Sequence, residues 1–236
     1  MSGKVWLALA LLGAGTVAAV ADVTPAPADL LPRLTGMRRL SESEYRNSIA
    51  DIFGADLEVQ GRFEPDRRIG GLLAASSAIL SITATGFEND TKMADAIAAQ
   101  LVDGRHRGKL IACAPADPKA ADDACAAKVM AQYGLQLFRR PLTAEQTAAR
   151  VKLAHELAMK THDFYIGLRY GLASLLAAPD FLFRIEYAVP GPDGKSWTLD
   201  GYSRAARLSY LMWDTTPDSA LLKEAAARLD SLPATM

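Results

Sequence analysis

FYIGLRYGLASLLAAPDFLFRIE, residues 164–186, decides the fold. Leu168, Leu172, Leu175 and Leu176 recur at helical spacing, and Ile166 and Tyr170 carry the apolar surface to nearly all sides, so the segment 164–177 is expected to be the central buried helix. Pro179 is expected to end it. Upstream, FRRPLTAEQ (138–146) holds Thr143 and Gln146 at capping-box spacing. That box opens a helix whose inner face is Ala148, Val151, Ala154, Leu157 and Ala158. Pro141 stops the helix before it, which runs to about Arg139 and is traced by Ala126, Val129, Met130, Tyr133 and Leu137. Downstream, Gly191, Pro192 and Gly194 make a turn-rich boundary. Asp200 then caps a helix that ends at Trp213, and Thr216-Pro217 starts another.

The amino-terminal half reads the same way. In RRLSESEYRNSIADIFG (38–54), Ser41 and Glu44 form a capping box, Tyr45, Ile49, Ile52 and Phe53 fall on one face, and Gly54 closes the helix. Met93, Ala94, Ile97, Ala98 and Leu101 mark a further helix, closed by Gly104 and followed by the basic turn RHRGK. Residues 57–86, including LLAASSAILSITAT, fit a buried helix or a β-rich run, and their conformation stays open. No convincing set of alternating strands emerges. The expected fold is all-α, with seven or eight helices in bundle-like modules and no substantial sheet.

The phrases at 38–54, 138–146, 174–186 and 200–213 resemble the PSD-type domains of unknown function. These are best known from large exported planctomycete and proteobacterial proteins that often also carry c-type cytochrome modules. The resemblance implies a third PSD-type domain over 34–104, a disulfide loop and fifth PSD-type domain over 105–190, and the start of a fourth over 197–236. Relatives continue well beyond such a start, so a truncated frame is expected at Met236. On that view the hairpin 200–228 exposes Leu208, Leu211, Met212, Trp213, Leu221 and Leu222 unless they dock, and a chain ending near Tyr187 should be at least as stable as the longer one. The family has no settled activity, so the resemblance implies no reaction.

The first residues point to export. Lys4 precedes an apolar, small-residue stretch, Val5 to Ala21, which closes on Ala19-Val20-Ala21 and places a signal-peptide cleavage site before Asp22. The stretch lies at the short limit for spanning a membrane, and no span is expected after cleavage. Residues 22–33, DVTPAPADLLPR, read as a Pro-rich linker. In an oxidising compartment Cys113 and Cys125, which flank APADPKAADDA, are expected to pair, contributing roughly 3 kcal/mol. With 26 Lys and Arg against 27 Asp and Glu, the chain lacks the polycationic surface that nucleic-acid binding needs.

Catalytic signatures are sparse. Neither G-x-S-x-G nor a phosphate loop is present; RRIGGLL lacks the lysine. C-x-x-C-H is missing, and no four-ligand cluster is legible, so no metal and no cofactor are expected. His155 and His162 lie roughly 10 Å apart along a helix, and His106 sits between arginines in a turn; solvated surface is the expectation for all three. Asp180 and Glu186, and Glu44, Asp51, Glu64, Asp66 and Glu88, are conceivable acid–base groups. Structural ion pairs are favoured, because Arg39, Arg67, Arg68, Arg139, Arg140, Arg184, Arg204 and Arg207 adjoin apolar phrases, with Glu44 and Glu186 as candidate partners. Phe164, Tyr165, Tyr170, Phe181, Phe183 and Tyr187 read as core. The expected role is a periplasmic or surface helical scaffold that engages other domains of a longer chain or envelope proteins. The alternative is part of a redox enzyme served by cytochrome modules located elsewhere.

Overall fold

The computed structural model describes residues 32–65, 82–191, 193 and 195–230. The expected signal segment, nearly all of the linker 22–33, Asp66, Arg67, Arg68 and most of LLAASSAILSITAT lie outside the described residues. In chain order the elements are β1 (Arg33–Arg39), α1 (Glu42–Phe53), α2 (Ala84–Val102), α3 (Arg107–Leu110), α4 (Asp123–Phe138), α5 (Ala144–Thr161), α6 (Phe164–Leu176), α7 (Pro179–Leu182), β2 (Phe183–Pro190), β3 (Trp197–Leu199), α8 (Gly201–Trp213) and α9 (Ser219–Asp230). The fold is mostly helical.

Local chemistry sets the helix starts. Ser41 Oγ accepts from Glu44 N while Glu44 Oε2 accepts from Ser41 N at 2.8 Å, closing the α1 capping box. Thr143 and Gln146 close the same box on α5. Asp163 caps α6, and Asp200 caps α8 through a 2.6 Å bond from Ser203 N. Pro179 occupies the first turn of α7, where its missing N–H costs nothing, so it opens a helix as well as following one.

A small antiparallel sheet, ordered β1-β2-β3, accompanies the helices. β1 begins inside the expected linker and pairs with β2 far along the chain, Met37 opposite Ile185 and Arg39 opposite Phe183. Neither RLTGMRR nor FRIEYAVP shows clean alternation, because the first runs from exposed to half-buried along its length and the second lies against helices.

α5 and α6 pack closely because α6 places Gly167 and Gly171 opposite small residues of α5. A Cβ at Gly167 would run into Ala154 O and Ala158. Ala154 and Ala158 are buried, whereas Ala148 is exposed, so the inner face of α5 is narrower than its spacing implies. α6 buries Leu168, Leu172, Leu175 and Leu176. Ile166 and Tyr170, however, are 37 % and 42 % exposed, giving this helix one solvent edge instead of burial all round.

A single apolar cluster runs from Leu40 through α1, α2, α4 and α6 to Phe183 and Tyr210. Tyr210 belongs to α8, so the hairpin is not peripheral to that core. Further ties hold it: Thr216 Oγ1 donates to Gln136 O at 3.0 Å, Thr215 Oγ1 to Asp51 Oδ2 at 2.7 Å and Asn47 Nδ2 to Asp214 O at 3.1 Å. Leu222 is buried, whereas Leu208, Leu211, Met212 and Trp213 remain exposed.

Candidate functional site

The FRRP phrase builds the most completely buried charge among the described residues. α4 ends where Arg139 adopts the left-handed conformation (φ 58°, ψ 19°), which turns the chain ahead of Pro141 and accompanies a guanidinium that is only 3 % exposed. Its Nη2 donates to Phe183 O at 2.8 Å, to Phe181 O at 3.2 Å and to Asp180 O; Nη1 donates to Tyr210 Oη at 3.0 Å and Phe181 O at 3.3 Å. These acceptors include carbonyls at the end of α7, where a cation complements the helix dipole. Arg139 therefore fastens α4, α7, β2 and α8 at one point.

The neighbouring arginines extend the network outward. Arg140 Nη2 lies 3.2 Å from Asp200 Oδ2 and donates to Ser203 Oγ at 3.3 Å, while its guanidinium rests over the Tyr187 ring. Arg184 Nη1 meets Glu44 Oε1 at 3.5 Å, so Glu44 serves both the α1 cap and this pair. Burial depresses the Arg184 pKa, with the Glu44 charge opposing that shift. Arg207 pairs with Glu186 through both carboxylate oxygens, near solvent. Arg39 Nη1 lies 3.4 Å from Glu64 Oε2. Arg204 is exposed and forms no ion pair among the described residues.

Two clefts open on the surface, the first of them bordered by Arg39 and Glu64 of this network. The first, about 250 Å³, is lined by Arg39, Tyr45, Phe63, Glu64, Asp90 and Leu182. The buried Tyr45 hydroxyl has no hydrogen-bond partner among the described residues, and burial together with the Asp90 charge pushes its pKa up. Asp90 is itself raised, by burial first and by Glu64, against the pull of Arg39.

The second cleft, about 360 Å³, lies beside His106. The residue expected on the surface is 6 % exposed, because the turn between α2 and α3 folds it inward beside the 56–60 loop. Asp103 Oδ1 accepts the backbone N–H groups of Arg105 and His106 at 2.8 Å each and lies 2.9 Å from His106 Nδ1. Partial desolvation raises the Asp103 carboxyl, but these hydrogen bonds outweigh it and leave the pKa below its ordinary value. His106 Nε2 faces Asp56 Oδ2 at 3.5 Å without hydrogen-bond geometry. His155 is exposed at the surface, with Nδ1 2.8 Å from Asp123 Oδ1, and His162 caps α5 in the left-handed conformation.

Comparison with known families gives three matches in the order of these elements. Residues 38–103 match PSD3, a protein of unknown function (DUF1587), residues 125–186 match PSD5, a protein of unknown function (DUF1595), and residues 199–232 match PSD4, a protein of unknown function (DUF1592). The chain is thus similar to three PSD-type domains in succession, third, fifth and fourth in that order. No curated protein and no solved structure matches it.

The PSD-type matches meet at the arginine network. Arg139 and Arg184 lie in the PSD5 match, Glu44 in PSD3, and Tyr210 and Asp200 in PSD4, so the pairs join residues of different matches. Cys125 opens the PSD5 match and is disulfide-bonded to Cys113 just before it. Of the acids considered for proton transfer, Glu44, Glu64 and Glu186 are engaged with arginines, and Asp51 accepts from Thr215. Asp180 contributes its carbonyl to Arg139, and Glu88 pairs with Lys92 at the surface. Tyr187 and Tyr165 are half-buried and Tyr170 is exposed, so only Phe164, Phe181 and Phe183 of the aromatic set lie in the core. The His106–Asp103 pair was missed. Its one local signal is an aspartate three residues before a histidine just after a helix, a pattern with an ordinary turn reading. Among the described residues no group of His, Cys, Asp and Glu is placed to hold a metal ion, and no helix is long and apolar enough to cross a membrane.

Proposed function

We propose that this chain is an exported helical scaffold that acts as an interaction module within a larger cell-envelope protein. The observation that carries the reading is the outer face of α8. Its inner face is fixed by buried Ala205, Ala206, Ser209 and Tyr210, yet Leu208, Leu211 and Met212 stand 46 %, 78 % and 61 % exposed on the other, and Trp213 is 60 % exposed at the helix end. Leu208, Leu211 and Met212 follow helical spacing, so the three share a face. A helix anchored so firmly with such a face outward suits docking of a further apolar module better than solvation. The disulfide is compatible with an oxidising compartment, and the leader-like residues 1–21 supply a route to it.

Export is tested by sequencing the amino terminus of the envelope-fraction protein: Asp22 is expected, and a retained Met1 rejects cleavage. Docking is tested with a photo-crosslinking residue at position 211 or 152 in cells. A discrete envelope-protein adduct, or an intramolecular crosslink to another module, should form from 211 and not from the solvent-facing Lys152. No adduct from 211 would remove the basis for the interaction role.

A further inference from the structure

The His106 cleft contains an unfinished hydrogen-bond account. Asp103, held charged by its turn, has no proton to give, so in the neutral ring Nδ1 carries the hydrogen and Nε2 is a lone pair. That lone pair is buried, receives no hydrogen bond and faces a second acceptor, Asp56 Oδ2, at 3.5 Å. Two acceptors in that relation call for a donor, since a buried polar atom left unpaired is unfavourable by about 1–3 kcal/mol.

We propose that this cleft binds a guanidinium group, carried by a small organic cation or by an arginine side chain. Charge favours a cation: Asp56, Glu58 and Asp103 line the cleft against Arg105 alone. The amide donors in the wall are already used. Gln100 Nε2 donates to Glu58 O at 2.9 Å and Ala96 O at 3.2 Å, and Gln60 Nε2 donates to the Glu58 carboxylate. Acceptors are what remain. Geometry favours guanidinium over ammonium, because the planar fork presents parallel N–H bonds to closely spaced acceptors, whereas tetrahedral ammonium donors diverge. Access runs past Asp56, whose side chain is 57 % exposed and free to swing aside so that one N–H reaches Nε2 and another keeps the carboxylate. The site is independent of the α8 face.

The test is an NMR titration of the full protein with each cation, following the ring signals of His106 and His155. Methylguanidinium should shift the His106 ring saturably and bind at least about tenfold more tightly than methylammonium. His155, paired with Asp123 at the surface, is the internal control and should not saturate. Asp56→Asn, at an exposed position, should weaken binding about tenfold with the melting temperature unchanged. A capped peptide with one arginine separates the sources: tighter binding of the peptide assigns a protein arginine, and tighter binding of methylguanidinium assigns a free small cation. The proposal is overturned if the His106 ring responds to neither cation, if both histidines respond alike, or if Asp56→Asn leaves the affinity unchanged.

Discussion

Arg139 and His106 make an informative pair. Both follow helix ends, both come from short basic phrases, FRRP and RHRGK, and both are buried, at 3 % and 6 % exposure. Both terminal nitrogens of Arg139 are satisfied: carbonyls of Asp180, Phe181 and Phe183 and the Tyr210 hydroxyl accept from them. His106 is half complete, with one ring nitrogen settled on Asp103 and the other buried without a hydrogen bond, 3.5 Å from the Asp56 carboxylate in the wall of a cleft. Burial is therefore a poor guide to role. A satisfied polar group fastens the fold, and an unsatisfied one beside open space is where a ligand belongs.

The largest effect expected from breaking the comparison comes from ending the chain at Tyr187. That removes Tyr210 from the core, one acceptor from Arg139, and both Asp200 and Ser203 from Arg140. The shorter chain should lose several kcal/mol, on the order of 3–5, in chemical denaturation, the reverse of what the domain-start reading leads one to expect. Equal stability in the two chains would show that α8 merely rests on the core.

Arg139→Met isolates the hub itself. Buried carbonyls lose their donors, and roughly 3 kcal/mol or more should disappear. Arg139→Lys should recover only part, since an ammonium cannot serve the same acceptors as a planar fork. Full rescue by lysine would mean that charge alone matters. Next in size is Cys113→Ala, which frees the loop before α4 and should cost roughly 2–4 kcal/mol. If reductant destabilises the wild type by far less than the substitution does, the alanine acts through packing rather than through the cross-link.

The sequence disclosed what local chemistry determines. Capping boxes at Ser41/Glu44 and Thr143/Gln146, the Asp200 cap and the stop after Phe138 each need only a few adjacent residues, and each is present. β1 and β2 escaped notice because their pairing partners lie far apart in the chain and neither strand alternates cleanly. Ile166 and Tyr170 counted toward burial on composition, but which edge of α6 meets solvent depends on where α2, α4 and α5 lie. His106 was illegible for the same reason: the 56–60 loop, almost fifty positions away, contributes the opposite wall. The arginine partners were legible as a class and only in part as pairs, since Arg204 shares its phrase with Arg207 yet points to no carboxylate among the described residues.

The smallest expected effect also separates the two regions most cleanly, because it depends on titration. Hydrogen bonds from the backbone N–H groups of Arg105 and His106 and from the His106 ring hold the Asp103 pKa below its unfolded value, despite the opposing effect of desolvation. A depressed carboxylate pKa stabilises the fold above the unfolded pKa, about 3.9, and that stabilisation is lost as pH falls through the folded value. Asp103→Asn should thus be slightly less stable than wild type at neutral pH, and the gap should narrow as the pH falls below about 4. The Arg139→Met deficit rests on carbonyls and a phenol, which do not titrate in that range, and should stay constant over the same interval. Thermal melts of the three proteins between neutral and acid pH provide the comparison. An Asp103→Asn gap that stays constant on acidification would mean that the turn is held by shape alone, and that Asp103 does not fix the proton on His106 Nδ1.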